Sequence, residues 1–510
     1  MLVYITIPAL LFFLSLLVPA SLKLLASVAF VYFLYKSLSA DAIDTICKKF
    51  GRVQINVGFL VLTVGILILI YADLFFNFKF VWDWIKHRSV LISLYNNPMA
   101  PTLDGFNLSS SCGFLNKPLI YYYAMYLPSV YIVKLFTLVM PIENTTHLAQ
   151  VLSCTFFTWN LLGIIIVFCL LPVTCNMLFN TKDRNCVWGI FFIAMIVFTG
   201  LDYWFYYSGI PKRLLVHVDP ITKVFPGYFA QYRSVIHYWQ FYPMQLVASG
   251  ISVVFLALYS ERMDKFPLFL VGMFLIGSAT FCFIGAVFLI LFFLIGWLFY
   301  EGPLKIKTRA LMLIKNVGIE FLLSLLIGGI VVIFYIDKVW PETLAVNHTL
   351  SDASGYMKYL FFLVKELFLF FVLGLAYYNW RHSMPGSVLA ALVILILMPL
   401  FSLGKYNDLA MKGCIPALFF IILFCASFIQ ELYIDKPKLF KFIIILYFFI
   451  AIPSFMGELF FGLSYRRSEQ LSLLRFSSNI YKQYVGSEHT FNKFITKMVD
   501  APAHLIVKGK

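Results

Sequence analysis

The sequence predicts an all-α bundle of membrane-spanning helices, and three observations carry that prediction. Hydrophobic residues make up 62% of the 510 positions and charged residues only 12%, against about 25% charged and 45–50% apolar in a soluble domain. Mean hydropathy is +0.89. Apolar runs of spanning length recur along the chain, and Lys and Arg crowd into alternate connections between them. Water cannot solvate that much apolar surface, so the bilayer is the expected environment.

A spanning helix needs roughly 17–25 mostly apolar residues. Such runs occupy 2–20, 22–38, 57–75, 148–172, 186–202, 240–258, 310–336, 358–378, 386–402, 414–433 and 442–463. The run 267–300 exceeds one pass, and Gly277-Ser278 and Gly285 divide it into two, giving about 13 spans. Residues 2–20 lack a basic leading segment and read as an anchor helix, not a cleaved leader. The stretch 119–139 is different. Pro118 precedes it, Tyr121, Tyr122 and Tyr123 enrich it, and Pro128 interrupts it. Tyr favours the membrane interface, so an amphipathic surface helix is predicted there.

Charge sorts the connections. Loops 39–55, 173–185, 259–266, 301–309, 379–385 and 434–441 fall on one side and carry 14 Lys and Arg in 62 residues. Loops 76–147, 203–239, 337–357 and 403–413 fall on the other and carry 12 in 141 residues. Lys and Arg gather in cytoplasmic loops, so the long loops are expected outside. The segment after Gly462 runs against the pattern, with eight Lys and Arg and three acids on the outer side. No internal repeat is visible. The expected division is a transmembrane domain, 1–463, and a polar, basic tail, 464–510.

Composition also excludes functions. The formal charge of +15 is spread over short loops, not gathered on one soluble face, which argues against nucleic-acid binding. Nine Cys are scattered without CxxC or Cys/His metal spacing. No Walker A, GxGxxG or HExxH motif occurs, and the cytoplasmic loops are too short to build a nucleotide site. Chemistry is expected on the outer face, on a substrate delivered there.

Three polar clusters stand in the outer loops. The first is Trp82-Asp83-Trp84-Ile85-Lys86-His87-Arg88. If helical, it places Asp83, Lys86 and His87 on one face by their spacing. A carboxylate beside a His suits general base chemistry, and a nearby cation suits a phosphate. The same segment also reads as an interfacial anchor, with Trp at headgroup depth and Lys86 and Arg88 on lipid phosphates. The second cluster comprises Asp202, His217, Asp219, Gln231, Arg233, His237 and Gln245. His-x-Asp beside another Asp is a weak metal or acid/base signal, and an Asp closing a helix is commonly a solvated cap. The third runs from Gly404 to Leu418 and holds Asn407, Asp408 and Lys412. Asn407 and Asp408 suit helix capping. Lys412 opposes the macrodipole of the following helix, a cost that fits a task such as holding an anion. Inside a span, Lys365-Glu366 is a further functional candidate. The sequons at Asn107, Asn144 and Asn347 are no more than chance supplies in a chain this long.

The layout resembles the GT-C superfamily of membrane glycosyltransferases: a long first outer loop carries an acid, and a Tyr-rich amphipathic helix follows it. Trp82-Asp83-Trp84-Ile85-Lys86-His87, Gly200-Leu201-Asp202, His217-x-Asp219, Gln231, and Asn407-Asp408 with Pro416-Ala417-Leu418 are similar to motifs of GT-C-like bacterial membrane proteins. The likeness covers most of 57–433. Two departures stand out: Lys412 occupies an expected Arg position, and the His217 segment lacks an aromatic pair.

The resemblance implies an inverting transferase in a bacterial cytoplasmic (inner) membrane, with its site facing the periplasm. It implies a polyprenyl-phosphate sugar donor arriving through the lipid and a glycan, lipid or protein acceptor. By that likeness Asp83 is the catalytic base, with His87 and Asp202 beside it as further catalytic candidates. Lys86, Arg233 and Lys412 would hold the donor phosphate. His217, Asp219, Gln231, His237, Gln245, Asn407 and Asp408 would complete the substrate site, and a divalent metal (Mg or Mn) is left open. Three other readings compete. A lipid-linked polysaccharide polymerase or ligase would also place acids and bases in outer loops. A transporter or lipid flippase would centre on Glu366 and the break in 267–300. A non-catalytic scaffold leaves the outer carboxylates and His unexplained.

Overall fold

The computed structural model describes residues 2–15, 124–142, 144–179, 243–259, 306–315, 344–346, 353–382, 384–403 and 413–436, with single positions elsewhere, chiefly within 87–96 and 438–449. The described chain is almost all helical. Its elements are α1 (Leu2–Ser15), a 3-10 turn (Ala124–Tyr126) leading into α2 (Leu127–Val139), α3 (Thr145–Phe179), α4 (Pro243–Tyr259), α5 (Ile306–Lys315), β1 (Leu344–Val346), α6 (Ala353–Arg381), α7 (Gly386–Leu397), β2 (Phe401–Leu403) and α8 (Ile415–Asp435). Within α3 and α8, His147–Leu171 and Ile415–Asp435 are long and apolar enough to cross a membrane. The predicted runs 148–172, 240–258, 358–378, 386–402 and 414–433 coincide with α3, α4, α6, α7 and α8. The runs 186–202 and 267–300 and the tail 464–510 lie outside the described residues, apart from Ile295 in the second.

α8 is the central helix. Every residue from Ile415 to Gln430 is buried, and only its last turn reaches the surface. A helix apolar on all sides needs protein on all sides, and α4, α7, α3 and α6 supply it. α3 instead buries one stripe: Leu152, Phe156, Asn160, Ile164, Val167 and Leu171 recur every three or four residues. Its opposite side leaves Cys154, Thr158 and Leu162 exposed. Asn144 begins α3, its Oδ1 accepting the backbone N–H of His147 at 3.4 Å.

Close backbone approach fixes how α3 and α4 pair. A Cβ on Gly163 would lie 2.6 Å from Val247 Cγ1, and one on Gly250 would lie 2.6 Å from Val167 Cγ1 and 3.3 Å from Phe419 Cζ. Both numbers rise together, so the two helices run in the same direction. Seven buried or half-buried polar residues keep their hydroxyl or amide groups on their own helix. Ser153, Thr155, Asn160, Thr174, Ser249, Ser252 and Ser427 each donate to the carbonyl four residues back, at 2.7–2.9 Å. An unsatisfied polar group is thereby kept from apolar surroundings.

α6 and α8 are likewise parallel, joined by an aromatic ladder. Tyr377 meets Phe424 and Phe428 edge-on at 4.9 and 5.1 Å between centroids, Trp380 meets Phe428 at 5.8 Å, and Arg381 bonds Glu431 at 2.9 Å. That bond holds the Arg381 guanidinium above its ordinary pKa. His382 ends α6 with φ at +54°, and α7 returns antiparallel, the Tyr359 hydroxyl donating to the Ile396 carbonyl.

The helical class holds for the described residues, with one short addition: β1 and β2 form an antiparallel ladder with Leu344 opposite Leu403, Ala345 opposite Ser402 and Val346 opposite Phe401. Three-residue strands leave no periodic signature, which is why the sequence hid them. Within the stretch 119–139, residues 124–139 form the 3-10 turn and α2 without a break at Pro128. Pro128 stands in the first turn of α2, where its missing N–H costs no bond, so it starts the helix instead of breaking it. A short connection over 140–144 then turns α2 back alongside α3. Residues 124–130 are buried, while Ile132, Leu135, Phe136, Leu138 and Val139 are exposed.

Candidate functional site

Of the residues assigned to the transferase site, two fall among those described, His87 and Gln245. Asp83, Lys86, Asp202, His217, Asp219, Gln231, Arg233, His237, Asn407, Asp408 and Lys412 lie outside them.

His87 is fully buried. Its Nδ1 shares a hydrogen bond with the Tyr126 hydroxyl, a group able to give or accept the proton. Tyr126 stacks on Phe156 with centroids 4.5 Å apart and planes 9° from parallel, and the His87 ring leans on the same Phe156 at 5.8 Å. The three rings come from three parts of the chain. His87, Val90, Leu91 and Leu94 form the buried stripe of a helical stretch, at spacings of three and four. Further along this stretch, the Tyr95 hydroxyl lies 3.0 Å from Thr137 Oγ1, and Lys134 Nζ stands 5.4 Å over the Tyr95 ring. The stretch from His87 therefore runs alongside α2 in the same direction, clamped at both ends.

The seat is set deep along α3. Phe156 is 11 residues past Thr145, about 16 Å at 1.5 Å per residue. On the same face one turn on, Asn160 is buried, its Nδ2 donating to the Phe156 carbonyl at 2.8 Å. Its Oδ1 and the neighbouring Trp159 Nε1 find no hydrogen-bond partner among the described residues. Tyr4 of α1 stacks on Trp159 at 4.6 Å and donates to its carbonyl at 3.0 Å. Gln245, buried in the first turn of α4, stands two residues before Val247, which faces Gly163. His87 is thus buried in the packing around Phe156 of α3, and Gln245 is buried near the start of α4.

Among the described residues, no three His, Cys, Asp or Glu side chains gather to hold a metal ion. Sequence reasoning missed Tyr126, Phe156 and Asn160. Phe156 is one of 56 Phe, and Tyr126 lies in a run that reads as interfacial. A polar Asn on the apolar stripe of α3 is the one signal that pointed here.

At the ladder, β1 and β2 join the connection before α6 to the one after α7. The segment carrying Asn407, Asp408 and Lys412 begins directly after β2. Comparison with protein-family models, curated proteins and solved structures found no match.

Proposed function

We infer that the chain is a polytopic membrane glycosyltransferase that moves a sugar from a polyprenyl-phosphate donor to an acceptor at the outer face. The observation that carries this reading is the docking of the His87–Tyr95 stretch against α2 and α3. The described residues that follow Asp83 in sequence, from His87 to Tyr95, are anchored in the helical bundle, as the support of an active site must be. Two further features support it. α3 and α8 have spanning length and apolarity, and the β1–β2 ladder draws together two connections that charge assigns to one side.

In this reading Asp83 takes the proton of an acceptor hydroxyl as its oxygen attacks the anomeric carbon. The bond from that carbon to the donor phosphate breaks, and the polyprenyl phosphate leaves with the electron pair. Lys86, Arg233 and Lys412 offset the charge developing on the phosphate. Attack opposite the leaving group inverts the anomeric centre.

The test compares lipid-linked sugars and envelope glycans by mass spectrometry in cells carrying wild-type or Asp83→Asn protein. The expected result is accumulation of a polyprenyl-phosphate monosaccharide and loss of the matching surface sugar. Unchanged sugars and glycans would overturn it. A transporter would then be the better reading, favoured by Glu366, which is only 2% exposed midway along α6.

A further inference from the structure

We propose that α2 stands upright in the bilayer beside the first half of α3, with one stripe of its surface against the hydrocarbon chains of the lipids. The proposal rests on α3 crossing the membrane and is independent of the transferase chemistry. His147–Leu171 has the length and apolarity of a span. Phe156 is nine residues beyond His147, about 14 Å at 1.5 Å per residue. That depth is close to the middle of a hydrocarbon core about 30 Å thick. Tyr126 stacks on Phe156 there. The 13 residues of α2 follow and climb about 20 Å. A short connection over 140–144 then leads straight into α3. α2 therefore runs antiparallel to α3, from mid-depth back to the level where α3 begins.

Two features fit that placement. The first is the character of the exposed side. Ile132, Leu135, Phe136 and Val139 recur at spacings of three and four and are 46–81% exposed. This stripe lies opposite the buried Leu127, Val130 and Val133, and it contains no polar residue. A helix lying in the interface plane turns a charged or polar face to water. α2 turns its polar groups inward instead: Lys134 Nζ stands 5.4 Å over the Tyr95 ring, and Thr137 Oγ1 lies 3.0 Å from the Tyr95 hydroxyl. A helix apolar on both sides belongs in hydrocarbon or inside protein, and the exposed side is not inside protein. The second feature is where the chain is irregular. Backbone that is not α-helical is tolerated at bilayer depth only when protein encloses it. The 3-10 turn Ala124–Tyr126, at the deep end of α2, is buried. His87, bonded to Tyr126, is buried with it. Irregular and polar groups are enclosed, and apolar side chains are left uncovered.

The experiment uses the full chain in proteoliposomes that contain a phosphatidylcholine with a diazirine on its acyl chain. On illumination the diazirine loses N2, and the carbene inserts into C–H bonds of side chains touching the hydrocarbon. Peptide mass spectrometry then locates the adducts. They are expected on the α2 stripe and on Leu162, an exposed residue of the α3 span. No variant is needed for this arm. In a second arm, Leu135→Cys and His147→Cys meet a membrane-impermeant maleimide, and the adduct is quantified on the introduced cysteine alone. His147 is exposed at the start of α3. The reaction needs a thiolate, which forms in water, so Leu135→Cys should react about 10-fold more slowly than His147→Cys, or slower still.

Acyl adducts on Leu162 but none on the stripe would overturn the proposal and leave α3 in the bilayer. Equal maleimide rates at Leu135→Cys and His147→Cys would overturn it too, since the stripe would then face water. A disulfide between two Leu135→Cys chains, with no acyl adducts on the stripe, would overturn it in favour of a second copy of the chain. Adducts on neither helix would remove the span on which the proposal stands, while the Asp83→Asn comparison would still decide the transferase reading.

Discussion

The two halves of α3 are held by different means. Its first half carries the ring cluster of Phe156, Tyr126 and His87, with the buried amide of Asn160 one turn on. In its second half the aromatic and close-packed contacts among the described residues are apolar, with buried Thr174 bonded back to its own helix. There Val167 meets Gly250 with almost no space between the helices, and Phe179 packs edge-on against Phe420 and Phe424 at 5.5 and 5.6 Å. Close apolar contact is the cheaper way to hold helices together, since it leaves no polar group to satisfy. Polar groups in the first half indicate that placement, not cohesion, is what that half supplies.

The trunk can be broken most completely at Gly250. A Cβ there would stand 2.6 Å from Val167 Cγ1 and 3.1 Å from Cγ2, and a β-branched side chain in a helix has little freedom to turn away. Gly250→Leu is expected to abolish folded, detergent-extractable protein, as seen by size-exclusion profile. A monodisperse Gly250→Leu protein of normal heat stability would show that the trunk is not close-packed at this crossing.

The seat should fail more locally. Phe156→Ala deletes the surface under both Tyr126 and His87, and emptying a buried aromatic site costs about 3 kcal/mol. The expected outcome is a lowered unfolding temperature in a protein that still extracts and still migrates normally, with transfer lost. If Phe156→Ala matched Gly250→Leu in severity, the contrast between the halves would collapse.

How much of this was written in the sequence differs between the same two regions. The trunk was legible because its signal is local: the stretch 414–433 is predominantly apolar, and α8 is buried throughout from Ile415 to Gln430. Spanning length and apolarity are properties of one segment, and one segment reports them. The seat depends on pairing across 39 residues, from His87 to Tyr126, and no periodicity encodes a partner at that distance. The role of Pro128 was hidden for a related reason: weighed as an interruption of the run, it sits in the first turn of α2. The ladder escaped because Leu344–Val346 and Phe401–Leu403 are too short for alternation to show. Eleven of the thirteen candidate site residues lie outside the described residues, so the chemistry rests on sequence and the anchoring on structure.

The smallest effect is expected where charge alone joins two helices. Arg381 bonds Glu431 at 2.9 Å with side chains 43% and 19% exposed, and its guanidinium stands 4.3 Å over the Trp380 ring. Solvent at that exposure screens most of the attraction, and holding two long side chains in register costs entropy. Arg381→Gln should therefore lower stability by less than about 1 kcal/mol, read as a small shift in the detergent unfolding curve. The aromatic contacts of Tyr377 and Trp380 with Phe424 and Phe428 would remain to hold α6 on α8. A loss above about 2 kcal/mol, well beyond the usual worth of an exposed pair, would mean that charge helps carry the trunk. The division between a polar seat that places and an apolar trunk that binds would then have to be redrawn.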